Sequence, residues 1–213
     1  MFLIIWKSIV LLNPHPIPRK GGAVGFFYNN FMFEKITRVA IFIDGSNPYY
    51  KLKNLDVKNK TKFDYFGFCN LLAVGRKIVS CKYYVGEVRA KKDNEKARSM
   101  LSMQQKLFSH LNKQGFAVEK GYLMETDGKF HEKGVDVKIA TDIIIGAYED
   151  VYDTAIIISS DTDLIPAIRQ ARKLGKIIEH IGFSHAPSFG LQRHAHITRL
   201  LIYDDLKKFE EKD

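Results

Sequence analysis

Two stretches of this sequence, far apart along the chain, each combine a continuous apolar run with a carboxylate close behind it. The first is Val39–Ile43 followed by Asp44, and the second is Thr154–Ile158 followed by Ser159-Ser160-Asp161-Thr162-Asp163. Apolar runs bounded by turn residues are typical of strands buried on both faces of a parallel sheet. Open α/β sheets bind ligands outside the carboxyl ends of their strands. The two stretches therefore predict a ligand site at one sheet edge.

The rest of the chain alternates between strand-like and helix-like patterns. Further strands are predicted at Lys82–Val88, Phe116–Tyr122 and Lys176–Phe183. Helices are predicted at Phe66–Leu72, Asp93–Gln114, Gly134–Ala147 and from Leu164 to Gly175. Asp127-Gly128 is a hairpin signal, Ser184–Leu201 is predicted as a loop with a short helix, and the tail from Asp204 as a solvated helix. This alternation predicts an α/β fold with a mainly parallel sheet flanked by helices.

The predicted helix Gly134–Ala147 carries a carboxylate on its apolar side. Projected at 100° per residue, its apolar residues form one broad arc, and Asp136 falls near the middle of that arc. The helix dipole favours an acid in the first turn, but that does not explain an acid that faces inward. A core-facing carboxylate is costly unless it is paired or bound to a metal. Asp142 falls at the edge of the arc.

Four carboxylates are therefore predicted to converge on the sheet edge: Asp44, Asp136, Asp161 and Asp163. Each also has a local alternative, such as a turn residue before Gly45 or a helix cap at Asp163. Mutual repulsion would raise several of their pKa values, and a hard divalent cation would relieve it. Oxygen-only ligands favour Mg²⁺ or Mn²⁺ over zinc.

The charge balance favours a polyanionic partner. The chain of 213 residues has a formal net charge of +9, which points to nucleic acid ahead of an anionic membrane surface. Lys133 and Lys138 flank Asp136 and are predicted phosphate contacts, and the lysine-rich segment 51–62 follows the first acid motif. A Mg²⁺ or Mn²⁺ site in a basic protein suits phosphodiester hydrolysis.

The cysteines and histidines do not indicate a zinc or disulfide protein. Only Cys69 and Cys81 are present, without a CxxC pair, and we expect both to be reduced in a cytoplasmic protein. His194 and His196 have a spacing that could suggest a metal site, but a third ligand of fitting type and placement is missing. We therefore interpret the late histidines as surface or phosphate-contacting residues: His180, His185, His194 and His196.

Residues 1–37 differ from the remainder. Their apolar segments are interrupted by Lys7, followed by Pro14 and Pro16, and are too short for a membrane span. We predict that residues 38–213 form one domain, and that residues 1–37 are a disordered or peripheral extension, or reflect a start assigned upstream of Met32. No membrane association is expected.

Three ordered motifs resemble the NYN domain, LabA-like branch, of the PIN-like nuclease superfamily. They are Ile43-Asp44-Gly45-Ser46-Asn47, Lys133-Gly134-Val135-Asp136-Val137 and Ser159-Ser160-Asp161-Thr162-Asp163-Leu164-Ile165-Pro166. The resemblance implies a PIN-like three-layer α/β sandwich and metal-dependent cleavage of RNA, most readily single-stranded. It also implies that the four aspartates bind metal and that Asp142 is a further or outer-shell acid. Asn47, Ser46, Ser160 and Thr162 would contact the substrate.

Two other classes remain alternatives. A haloacid-dehalogenase-type phosphatase also places an Asp after its first strand but needs a second Asp at the position of Ser46. A non-catalytic RNA-binding adaptor could keep the same fold, since a fold does not prove turnover. The sequence leaves the oligomeric state open, with a homodimer as one option.

Overall fold

The computed structural model describes residues 9–12, 36–46, 51, 62–88, 95–126 and 129–210. Its strands are β1 (Ile9–Leu12), β2 (Arg38–Asp44), β3 (Lys77–Glu87), β4 (Ala117–Thr126), β5 (Lys129–Lys133), β6 (Thr154–Ile158), β7 (Ile177–Phe183) and β8 (Ile197–Leu201). Its helices are α1 (Tyr65–Ala73), α2 (Glu95–Lys113), α3 (Val135–Tyr148), α4 (Ile165–Lys173), α5 (Phe189–His194) and α6 (Tyr203–Leu206).

The described strands form one sheet in the order β1-β8-β7-β6-β2-β3-β4-β5. The pairings from β8 through β4 are parallel, and β1 and β5 join the two edges antiparallel. The central pair β2–β6 runs in register to Ile43 and Ile158. Asp44 and Ser159 therefore lie side by side where these strands end, as expected for adjacent parallel strands.

Both faces of the sheet are covered by helices, which confirms the predicted α/β sandwich. Along β2, Val39, Ile41 and Ile43 pack into one apolar cluster, while Ala40 and Phe42 pack into the other. Side chains of α1 and α2 complete the first cluster, and those of α3 and α4 complete the second. This alternation explains why the β2 sequence is apolar throughout.

Two predictions about the C-terminal part are wrong. The segment predicted as a loop with a short helix contains α5 but also strand β8, which pairs with β7. The tail predicted to be solvated buries Leu206 and Phe209 in the core. In both places the apolar pattern is too short to indicate a structure by itself, and packing on the sheet determines the conformation.

A buried ion group joins α1 to the sheet. The Glu179 carboxylate of β7 accepts hydrogen bonds from Arg76 at 2.5 and 3.1 Å and from Arg199 at 3.0 Å. Both arginines also donate to the carbonyl of Leu72 near the end of α1. Such a group is costly to break, because removing one charge leaves the others buried and uncompensated.

Within the described residues, no helix is both long enough and apolar enough to cross a membrane.

Candidate active site

The end of β2 is tied to the end of β6 by a serine hydroxyl. Asp44, the last residue of β2, is only 6% exposed. The Ser159 Oγ donates to Asp44 Oδ2 at 2.7 Å and accepts from the Asp161 amide at 3.0 Å. One buried hydroxyl thus holds the first predicted acid and positions the backbone of the second.

The turn after Asp44 needs glycine. The Gly45 amide donates to the Tyr84 carbonyl at 2.7 Å, which draws the chain against β3. A Cβ at Gly45 would lie 2.2 Å from the Tyr83 ring and 2.6 Å from the Tyr84 carbonyl oxygen. No other residue fits this approach, so the Asp-Gly sequence is required by packing as well as by turn chemistry.

Asp161 and Asp163 lie together after β6. Asp161 Oδ1 accepts from the Asp163 amide at 2.8 Å and caps a 3₁₀ turn, Thr162–Leu164. The cap role considered for Asp163 therefore belongs to Asp161. Asp161 is half-buried and Asp163 is exposed. The cap does not use the second carboxylate oxygen of Asp161, and an ion could bind to that oxygen.

Asp136 is electrostatically coupled to these two acids. It is the second residue of α3, which begins after Gly134 in a left-handed conformation (φ 79°). Burial raises the pKa of Asp136, and the negative charges of Asp161, Glu132 and Asp163 raise it further. Asp136 therefore faces the end of β6, and a cation bound there would neutralise the repulsion among these carboxylates.

Asp142 lies apart from this group. It accepts hydrogen bonds from Lys82 Nζ at 2.9 Å and Tyr84 Oη at 2.7 Å. Asp142 follows Asp136 by six positions, which is about 9 Å along a helix axis. The structure thus gives Asp142 two partners from β3, and its outer-shell role stays a prediction.

The predicted substrate contacts differ in exposure. Ser46 and Ser160 are half-buried, whereas Thr162 and Lys133 are exposed. The exposed Lys138 is paired with Glu119 on β4 at 3.0 Å. Asn47 lies outside the described residues. Their roles stay predictions.

Part of the lysine-rich segment also lies near the sheet edge. Burial and the positive charge of Lys51 lower the pKa of His185, which follows β7. Lys51 is therefore close enough to this edge to act on His185. The segment from residue 52 to residue 61 lies outside the described part.

Three residues of this region were missed or misread from the sequence. Ser160 was predicted as a substrate contact, whereas no site role was predicted for Ser159. A serine directly after a buried strand is nevertheless well placed to bind an acid at the end of the neighbouring strand. Glu132 adds charge next to Asp136 and accepts from the Gly86 amide, but it arrives through the β4–β5 hairpin. His180, interpreted as a surface or phosphate-contacting residue, is only 1% exposed, so that interpretation is wrong.

The donors at this edge fit a hard divalent cation in kind, since they are carboxylate and hydroxyl oxygens. Their separations are wider than a ligand set needs: within the described residues, no three His, Cys, Asp or Glu side chains are close enough to hold an ion. Asp44, Asp136, Asp161 and Asp163 share one edge, and metal binding there requires them to draw together.

An α/β sandwich with acids at the carboxyl edge of a mainly parallel sheet is consistent with a PIN-like fold. The NYN domain family matches residues 38–200, and the chain belongs to this family. NYN domains are nuclease-like members of the PIN-like superfamily, whose nucleases typically use divalent metals. The assignment to the LabA-like branch stays a prediction.

The fold is shared with a solved structure. A protein of unknown function from Vibrio parahaemolyticus superposes with a TM-score of 0.59, at 24% sequence identity, covering 81% of this chain and 97% of that chain. At this identity the likeness shows the fold alone. No curated protein matches the chain significantly.

Proposed function

We propose that this protein is a Mg²⁺- or Mn²⁺-dependent ribonuclease that hydrolyses phosphodiester bonds in single-stranded RNA. The observation that carries the proposal is the acid group at the ends of β2 and β6. There, Ser159 joins Asp44 to the Asp161 backbone. Burial raises the pKa of Asp136, and the negative charges of Asp161, Glu132 and Asp163 raise it further. Membership of the NYN family supports a nuclease.

Each part of the site has a role in this proposal. Asp44, Asp136, Asp161 and Asp163 would hold the metal. Bound there, a divalent cation supplies Lewis-acid polarisation of the phosphodiester and lowers the pKa of a water molecule. Ser159 orients Asp44, because its hydroxyl donates a hydrogen bond to the carboxylate.

The basic surface would hold the RNA backbone. A net charge of +9 favours phosphate binding, and the exposed Lys133 lies three residues before Asp136. A cytoplasmic location is part of the proposal and is based on the two free cysteines.

The test is cleavage of an end-labelled single-stranded RNA by purified protein with Mn²⁺, Mg²⁺ or EDTA. We expect metal-dependent cleavage that EDTA and the Asp161→Asn variant abolish. Asp150→Asn is a matched control, since Asp150 lies at the opposite end of the sheet and pairs with Arg38 and Lys176. Its left-handed backbone (φ 55°) also suits asparagine.

A non-catalytic RNA-binding adaptor is the second candidate. It is favoured by the wide separation of the acids in the described residues and by the capping role of Asp161. Tight RNA binding without cleavage under every metal condition would support the adaptor and reject the ribonuclease.

A further inference from the structure

A buried histidine lies directly behind the acid group. His180 is in the middle of β7, in register with Ile157 of β6 and Thr198 of β8. It is 1% exposed, so it contacts neither solvent nor substrate. None of the roles assigned above uses it.

The hydrogen bond of His180 fixes its tautomer. His180 Nε2 lies 2.9 Å from the Ser159 carbonyl oxygen. A carbonyl oxygen only accepts, so Nε2 carries the proton and donates it. Burial lowers the pKa of His180, which keeps the imidazole neutral.

The other ring nitrogen is a cost to the fold. Nδ1 is then a buried acceptor, and within the described part of the chain it has no hydrogen-bond partner; the same is true of Thr198 Oγ1 on the adjacent strand. An apolar side chain at this position would remove the unsatisfied Nδ1, but it would also leave the Ser159 carbonyl without the Nε2–H donor. What the histidine supplies at this position is therefore the Nε2–H that binds Ser159.

Ser159 is the residue that this bond restrains. It follows the last residue of β6, so its carbonyl lies beyond the paired part of the strand. The Oγ of the same residue donates to Asp44 and accepts from the Asp161 amide. Fixing the carbonyl therefore restrains the Ser159 backbone, from which the hydroxyl reaches both acids.

We propose that His180 is a positioning residue, whose Nε2–H holds Ser159 so that its hydroxyl orients Asp44 and the Asp161 backbone for metal binding. The effect on metal and activity rests on the proposed function, but the hydrogen-bonded relay does not. His180→Gln keeps an N–H donor near the position of Nε2, and His180→Leu removes the donor while filling the space.

The first test measures the relay without metal or RNA. Amide hydrogen exchange at Asp161 should be about tenfold faster in His180→Leu than in wild type, equivalent to losing about 1.4 kcal/mol of protection. His180→Gln should restore most of the protection. Equal exchange in all three proteins would overturn the proposal. If His180→Leu does not fold, the nitrogen-15 spectrum of the wild-type imidazole decides, because protonation at Nδ1 instead of Nε2 would overturn it.

The second test measures the consequence for the site. By titration calorimetry, Mn²⁺ should bind about tenfold more weakly to His180→Leu, with a fall in kcat and little change in KM for RNA. His180→Gln should recover most of both. Two results would overturn the positioning role. One is a folded His180→Leu variant with wild-type Mn²⁺ affinity, and the other is an equal loss of Mn²⁺ affinity and kcat in His180→Gln and His180→Leu. Failure of the wild-type protein to bind Mn²⁺ or cleave RNA would reject the proposed function, and the exchange test would still decide on His180.

Discussion

Removing the Ser159 hydroxyl is expected to weaken the fold as well as the site. The hydroxyl donates to the buried Asp44 carboxylate at 2.7 Å and accepts from the Asp161 amide at 3.0 Å. Ser159 is itself only 3% exposed, so water has little access to replace it. In Ser159→Ala, both partners lose this bond.

The size of the effect follows from the two bonds. A hydrogen bond to a charged group contributes about 1.5–3 kcal/mol, and a neutral one about 0.5–1.5 kcal/mol. Since the two bonds share one oxygen and are not strictly additive, Ser159→Ala should lower the free energy of unfolding by about 2–4 kcal/mol. For a domain of this size, that is a fall in Tm of about 4–16 °C.

The assay is urea unfolding followed by far-UV circular dichroism at pH 7. Ser102→Ala is the control, because Ser102 is exposed on α2 and its loss should change the free energy of unfolding by less than about 0.5 kcal/mol. A Ser159→Ala variant as stable as the control would refute the reasoning, since it would mean that the hydroxyl does not bridge the two strand ends.

Three further outcomes are expected. Glu179→Gln should lower the free energy of unfolding in urea by about 2–4 kcal/mol, because it leaves two partly buried arginines without their anion. Glu87→Gln, in an exposed pair, should lower it by less than about 1 kcal/mol. Equal losses in the two variants would contradict this. Asp136→Asn should abolish cleavage yet raise the free energy of unfolding at neutral pH, because the folded state raises the pKa of Asp136. That gain should shrink as the pH falls through the raised pKa, where wild-type Asp136 is itself protonated, and a destabilised variant at pH 7 would refute it. Iodoacetamide should alkylate Cys81 before Cys69 in a mass-spectrometric time course, because their hydrogen bond and burial raise the pKa of the Cys69 thiol while the bond lowers that of Cys81; the reverse order would disprove this.

The central strands were predictable because their sequences carry the whole signal. In β2 and β6, apolar residues on both faces require burial on both faces, and the acids that follow must then lie at the carboxyl edge. The position of Asp136 on the apolar side of its helix was predictable from the helical wheel, because the wheel depends only on the spacing of residues along the helix.

Other parts of the site depend on contacts between distant segments. Strand β8 has the sequence Ile-Thr-Arg-Leu-Leu, too short and mixed for a local pattern, and it is a strand because β7 offers it an edge. Glu132 reaches the acids only through the antiparallel pairing of β5 with β4. His180 is buried because β7 is an interior strand between β6 and β8 and helices cover both faces of the sheet, which a single sequence does not reveal.

The most direct test of the central claim is anomalous diffraction from crystals soaked in MnCl₂. The account predicts a manganese peak coordinated by oxygens of Asp44, Asp136, Asp161 and Asp163, with the four side chains closer together than in the metal-free protein. Crystals that bind manganese elsewhere, or show no peak between these acids at saturating Mn²⁺, would contradict a catalytic metal site and leave the adaptor as the better account.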